Sequence, residues 1–433
     1  MLRDAARGGS AMERLRRVAC VIAIGALMGA CGSGTSQSPT ERGPSAHSTE
    51  PLVTPDDDAP APVAQPEPIA QPEPATTPEP EPVAQPEPTP VQTTTPPSRD
   101  RFAFFVSGHS LTDDPLADRI VDIARGLGVS AQYNEQIGIG SPIRLRTRGM
   151  DDRPGLWAGY RTGKNRGGTE GLDVIAELRA PRTIEGRYDA LIITERHDLV
   201  DVLMWENTVR HLRHFHDRLT AGNPQATTYL YESWLGVRDL ADPRDWIAYE
   251  RAAQPVWDCV ADRVELSLRD ERRPSHVRSI PTNAALALLV ERAVAGRVDG
   301  LRGANARAIT QRIFHDDVHM TPLGVYFVAL VTSAVVLERS PVGAPVPPGI
   351  EPALAASLQS IAWEAARAHA ARTPRTPAQC RALMRDSFCA QYGAYTRRTD
   401  GVENCRRTFA DGNAEGPFHH DPASDASRWF AAP

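Results

Sequence analysis

Two short runs hold the residue types that acyl-transfer chemistry needs. The first is Gly108-His109-Ser110-Leu111, directly behind the apolar run Phe102 to Ser107. The second is His315-Asp316-Asp317-Val318-His319-Met320-Thr321-Pro322-Leu323-Gly324, ahead of an apolar helical stretch. A serine hydroxyl is a weak nucleophile until a base takes its proton. Asp316 and His319 are three apart, so one turn entering a helix offers the carboxylate to one imidazole nitrogen and leaves the other facing a serine. Taken alone, Gly-x-Ser-Leu reads better as a turn with a capping serine. The second run reverses that preference, with Ser110 as nucleophile, His319 as base and Asp316 as the group that orients the base. His315, Asp316, Asp317 and His319 are all of metal-ligand type, but a metal reading leaves the serine without a role. Neither a metal nor a cofactor is called for.

The elements around these runs have to bring them together across more than two hundred residues. Phe102 to Ser107 reads as a strand, and Pro115 to Leu127 as a helix with apolar positions at helical spacing. Strands are expected at Val129 to Gln136, Tyr188 to Thr194, Thr227 to Tyr231 and His276 to Ile280. Helices are expected over Trp205 to Leu219, around Ile247 to Leu266, and from Asn283, Leu323 and Ala353. Such alternation predicts an α/β fold, a three-layer α/β/α sandwich with a parallel central sheet. Reactive residues then sit beyond the carboxyl ends of strands. A serine after the first strand has its backbone N–H free at the mouth of a helix, where it can also hold an oxyanion, and Gly108 allows a sharp turn there. Trp205, Tyr231 and Trp234 have the rings to stack on a sugar, although aromatic residues beside strands are more often core.

At this point the chain resembles the SGNH/GDSL hydrolase family, over roughly Phe102 to Arg372. That family carries its nucleophilic serine after the first strand and Asp-x-x-His before the last helix, matching Ser110, Asp316 and His319 in order. Gly140, within Gln136-Ile137-Gly138-Ile139-Gly140-Ser141-Pro142, resembles the second-block glycine whose N–H helps Ser110 hold the oxyanion, with Gly138 as the alternative. The third block departs. Where the family has Gly-x-Asn-Asp, this chain reads Ile193-Thr194-Glu195-Arg196-His197-Asp198. It is similar to a subset with Thr-Glu here, as it is at Tyr229-Leu230-Tyr231-Glu232-Ser233-Trp234. Glu195 is accordingly expected to line the pocket. An ionised carboxylate cannot donate a hydrogen bond, so Glu195 is either protonated in a dry pocket or orients another group.

The remainder of the chain gives these residues an address. Arg14, Arg16 and Arg17 precede the apolar run Val18 to Ala30, which is too short to span a bilayer comfortably, and small residues lead into Cys31. Leu27-Met28-Gly29-Ala30-Cys31 resembles a bacterial lipobox, which implies export, cleavage and lipidation of Cys31. Gly32 and Ser33 lack an aspartate of the inner-membrane retention type, so a two-membrane cell would carry the protein on its outer membrane. Of 38 prolines, 18 fall between Ser36 and Arg99, where aromatic residues are absent and Ala-Gln-Pro-Glu-Pro recurs at Ala64, Ala70 and Ala84. No core can form there, and an extended polyproline spacer would reach on the order of 200 Å. The expected organisation is a signal peptide over 1–30, a lipidated cysteine and linker over 31–100, a hydrolase-like domain over 101–372 and a cysteine-containing extension over 373–433.

Cys259, Cys380, Cys389 and Cys405 remain after export. At least one disulfide is expected within the extension, with Cys259 available to the odd cysteine. Four cysteines allow three pairings, and the spacings do not fit a zinc pair. The net charge of −6 and the pI near 6.1 offer no basic stripe, which sets nucleic acid aside as a partner. The arginines between Arg144 and Arg166, interspersed with acids, read as a solvated mixed-charge surface. The expected activity is hydrolysis of an ester by a monomer, on a small molecule or an acylated extracellular polysaccharide such as an acetylated one. The other class is a non-catalytic glycan-binding envelope lipoprotein on a degenerate scaffold of the same kind.

Overall fold

The computed structural model describes residues 100–148 and 161–430. The signal-like segment, Cys31 and the proline-rich repeats lie outside the described residues. The strands in chain order are β1 (Arg101–Gly108), β2 (Ser130–Ile137), β3 (Gly163–Asn165), β4 (Glu170–Leu172), β5 (Ala190–Thr194), β6 (Thr227–Tyr231) and β7 (His276–Ile280). They form one sheet in the order β4-β3-β2-β1-β5-β6-β7. β2, β1, β5, β6 and β7 run parallel, while β3 and β4 extend the β2 side as a short antiparallel ribbon. Seven of the eight residues of β1 and all five of β5 are buried. This continuous burial is the pattern of strands covered on both faces.

The helices are α1 (Leu116–Gly126), α2 (Ile143–Arg148), α3 (Val174–Arg179), α4 (Leu199–Trp205), α5 (Thr208–Gly222), α6 (Arg244–Asp270) and α7 (Thr282–Val294). They continue with α8 (Ala306–Thr310), α9 (Pro322–Val336), α10 (Pro352–Ala370), α11 (Pro377–Leu383), α12 (Cys389–Thr396) and α13 (Val402–Thr408). α9 touches α1, α7 and α10 in one layer, and α5 touches α2, α3 and α6 in the other. α9 has apolar residues on all sides because those neighbours enclose it, whereas α1 buries one stripe, including Ile120, Val121 and Ala124. The result is the mixed α/β fold expected, a largely parallel sheet flanked by helices. Among the described residues no helix is long and apolar enough to cross a membrane.

Three details differ from the sequence reading. The helix expected from Trp205 to Leu219 is two helices, broken at Asn207, whose φ of 51° takes the left-handed conformation that asparagine tolerates. β3 and β4 are three residues each and contain glycines, too short for a period-two signal. The arginines after Arg144 are not all solvated, since Arg146 is fully enclosed.

The extension beyond residue 373 is helical and uses α6 as its floor. Cys259 on α6 is bonded to Cys380 on α11, and Cys389 on α12 to Cys405 on α13. Tyr249 of α6 stacks on Tyr395 with ring centroids 4.5 Å apart, and Phe388 and Tyr392 close the same cluster. These few aromatic residues suffice because α6 supplies the other half of their burial.

Candidate active site

β1 is the point where the parallel strands change direction of progression, toward β2 on one side and β5 on the other. The crevice at such a point opens beyond the carboxyl ends of the strands. Ser110 stands just past the end of β1, and the Asp316–His319 loop just before α9. Ser110 Oγ lies 3.1 Å from His319 Nε2, and His319 Nδ1 lies 2.8 Å from Asp316 Oδ2. This is the row anticipated from residue types and spacing.

The loop is shaped mostly by its own backbone. Phe314 and Met320 form a β-bridge across its base, and His315 N–H donates to His319 O at 2.9 Å. Asp316 Oδ1 accepts from Val318 N–H at 2.8 Å and His319 N–H at 2.6 Å, which leaves Oδ2 for the imidazole. Partial burial opposes the charge on Asp316, but the His319 backbone and ring bonds and the Val318 N–H outweigh it and hold the carboxyl below its ordinary range. Thr321 caps α9 by accepting from Gly324 N–H, with Pro322 in the first turn. Trp234 Nε1 donates to Val318 O and Val237 N–H to Asp317 O, strapping the loop to the segment after β6. Asp317 turns away from the imidazole and lies over Gly236, where a Cβ would come 3.0 Å from its Oδ2. His315 places a second imidazole nitrogen 3.3 Å from Asp316 Oδ2.

Two backbone donors remain open past the ends of β1 and β2. Among the described residues neither Ser110 N–H nor Gly140 N–H has a hydrogen-bond partner. Gly138, the alternative, has its N–H committed to Gly108 O at 2.8 Å. Ser141 N–H closes a turn onto Gly138 O at 2.9 Å, and within that turn Gly140 has φ +66° and is exposed. That conformation favours glycine. Gly108 is needed for a different reason than a sharp turn: a Cβ there would fall 1.7 Å from Thr112 Oγ1.

Glu195 does not line an open pocket. It is fully buried, and its carboxylate is met by donors from neighbouring segments. One oxygen accepts from Ile143 N–H at 3.0 Å and Arg196 N–H at 2.7 Å, the other from Thr208 Oγ1 at 2.8 Å. Arg146 is its countercharge. Burial raises the Glu195 carboxyl to about 7, with Arg146 pulling the other way, and burial lowers Arg146 to about 10. The Arg146 guanidinium donates to Ser107 Oγ, to Ser141 O and Oγ, and to Thr194 O. It thereby ties the end of β1, the Gly140 turn and the end of β5 into one unit.

Two histidines beside the serine carry weight that the sequence did not reveal. His109 is buried and held neutral, its pKa lowered to about 3 by burial and by the Arg146 charge. Its Nε2 faces Glu195 O at 3.1 Å and its Nδ1 faces Leu111 N–H at 3.4 Å. His197 lies 6.3 Å from His109, ring to ring, within the electrostatic reach of His319. Burial also lowers its pKa. Its Nδ1 is buried without a hydrogen-bond partner among the described residues. Tyr231 and Trp234 are core residues, whereas Trp205 is 65% exposed and Ile139, next to Gly140, is 57% exposed.

No protein-family model and no curated protein sequence matches the chain. One solved structure similar to it is a DUF4886 family protein from Bacteroides uniformis ATCC 8492, with a TM-score of 0.43 and 13% sequence identity, covering 64% of this chain and 98% of that one.

Proposed function

We propose that the protein is a serine esterase of the SGNH/GDSL type. The observation that carries this reading is the hydrogen-bonded row from Ser110 through His319 to Asp316, with the N–H groups of Ser110 and Gly140 unpartnered among the described residues. Ser110 Oγ attacks the ester carbonyl while His319 Nε2 takes its proton. The tetrahedral oxyanion is held by the two N–H groups, and His319 returns the proton to the departing alcohol. Water then attacks the acyl-serine with His319 again as base, releasing the acid and restoring Ser110. Asp316 keeps the proton of the resting imidazole on Nδ1, so that Nε2 is free to accept.

The third-block asparagine has no counterpart here, and Glu195 is committed behind the site. His197 supplies the missing kind of group in this reading: a neutral imidazole donates an N–H as an amide does. It stands three residues past the end of β5, beside the strand that carries Ser110.

In this reading the substrate is an extracellular acylated polysaccharide, in keeping with export and lipidation at Cys31. Ile139 offers an apolar rim next to the oxyanion turn. The test is acetate release from acetylated glycans by the full chain. Release by the parent and not by Ser110→Ala supports the assignment, and equal release by both contradicts it. A Cys31→Ala protein that stays in the membrane fraction as fully as the parent would contradict the anchor.

A further inference from the structure

We propose that Glu232, Asp258 and His369 form a binding site for one divalent transition-metal ion of the zinc type, independent of the esterase reading. The three come from separate elements: Glu232 follows β6, Asp258 lies on α6, and His369 is in the last turn of α10. One donor atom from each lies within 4.8 Å of the others. A zinc ion bound at 2.0 to 2.2 Å holds its ligand atoms about 3.3 to 3.6 Å apart, so small side-chain rotations close the set.

The unexplained feature is Glu232. It is fully buried, and neither carboxylate oxygen has a hydrogen-bond partner within range among the described residues. Among the described residues no ion pair or well-formed hydrogen bond settles this carboxylate. Ser279 Oγ is the hydroxyl that reaches toward it, but its single hydrogen goes to Asp258 Oδ1 at 2.8 Å, and it sits 3.1 Å from His369 Nε2. A cation between the carboxylates resolves both the charge and the missing contacts.

The other two residues complete the donor set. His369 brings an imidazole, a common ligand of such ions, whose Nδ1 lies 3.3 Å from Gln254 Nε2 and whose Nε2 lies 3.1 Å from Ser279 Oγ, neutral contacts that an ion can replace. Asp258 Oδ1 is occupied by Ser279 and by Arg372 Nε at 3.1 Å. Its Oδ2 has only Gln254 at 3.4 Å and Arg375 at 3.8 Å, so a lone pair remains. Arg372 bridges Asp258 and Asp262, forking onto Asp262 at 2.9 and 2.7 Å, so with Arg375 two arginines face the three carboxylates Glu232, Asp258 and Asp262. One imidazole with two carboxylates suits zinc or manganese better than calcium or magnesium, which take oxygen ligands alone. His369, Ser279 and Arg372 also line a cavity of about 480 Å³, which gives the ion an entrance. β6 stands two places from β1 in the sheet, so this site is distinct from the Ser110 crevice.

The experiment uses the full chain, stripped with a chelator, desalted and titrated with a zinc salt alone by calorimetry, with metal content checked after gel filtration. One ion per chain and a raised Tm are expected. Glu232→Gln and His369→Ala should each weaken binding by about 100-fold or more, while His319→Ala should leave it unchanged, which separates this site from the histidines beside Ser110. Because a change at buried Glu232 can disturb folding, cobalt(II) added to the unaltered protein provides a second readout. Ligand-field bands in the visible, appearing at one equivalent and abolished by zinc, are expected. Failure of the unaltered protein to retain either ion, or retention by both ligand variants with parental affinity, would overturn the proposal.

Discussion

The row of Ser110, His319 and Asp316 and the clamp of Arg146, Glu195 and His109 stand back to back, yet they are built on opposite terms. The row is partly open to solvent, His319 and Asp316 keeping side-chain exposures of 41% and 40%. Its base and orienting carboxylate come from one loop that hydrogen-bonds to itself, and its nucleophile from the turn after β1. The clamp is dry, and burial displaces its ionisation, with Glu195 raised to about 7, Arg146 lowered to about 10 and His109 to about 3. A buried pair of this kind adds little net stability but is costly to break, because the surviving charge has nowhere to go. The clamp is thus a positioning device for the row, fixing the ends of β1 and β5 and the Gly140 turn relative to each other.

If that division of labour holds, substitutions in the two regions should fail differently. Ser110→Ala and His319→Ala should each lower ester turnover by about 10⁶, and Asp316→Ala by about 10⁴, with unfolding midpoints close to the parent. Steady-state kinetics beside urea denaturation measures this, and large losses of stability in these variants would blur the comparison. Arg146→Met should do the reverse, costing about 3 to 5 kcal/mol of stability by leaving Glu195 uncompensated. Activity should fall with it, and a variant as stable as the parent would show that the clamp is not one.

His197→Ala tests the border between the two regions. Loss of one oxyanion donor lowers kcat by about 10² to 10³, and His197→Asn, which restores an N–H donor, should recover part of it while KM stays near the parent value. Equal rates in His197→Ala and the parent would return His197 to a purely packing role. The smallest effect is the pH dependence of the clamp. The Glu195 carboxyl releases its proton near 4.5 when unfolded and near 7 when folded, so the native state binds more protons in between. Its contribution to stability therefore falls as pH rises from about 4.5 to 7, by about 1 to 3 kcal/mol. Glu195→Gln should flatten that part of a stability profile, and an unchanged slope would contradict the assignment.

The same contrast explains what could be read from residue types alone. Ser110 and the Asp316–His319 pair stand at the borders of elements, where short runs carry their own spacing and Thr321-Pro322 marks a helix start. The strands β6 and β7 were legible to the residue because apolar and β-branched runs end in clear turns. The clamp was not legible. Its members, His109, Arg146 and Glu195, are spread along the chain, and Arg146 sits among arginines whose charge argues for solvent until a buried carboxylate is known to face it. Glu195 was picked out by resemblance, but its burial depends on Thr208 and Ile143, which no spacing connects to it. Likewise Glu232, Asp258 and His369 converge only through the packing of α6 and α10 on the sheet. The packing of the tail could not be read from its own residues because the aromatic residue that receives it, Tyr249, is supplied by α6.

The most direct test of the central claim is covalent trapping of the full chain with a fluorophosphonate, read by intact mass and peptide mapping. Only a serine whose proton is taken by a base and whose oxyanion is held reacts at an appreciable rate. The expected result is one adduct per chain, on the peptide carrying Ser110, lost in Ser110→Ala and strongly slowed in His319→Ala. Absence of an adduct on the folded parent, or an adduct that persists in Ser110→Ala, would contradict it.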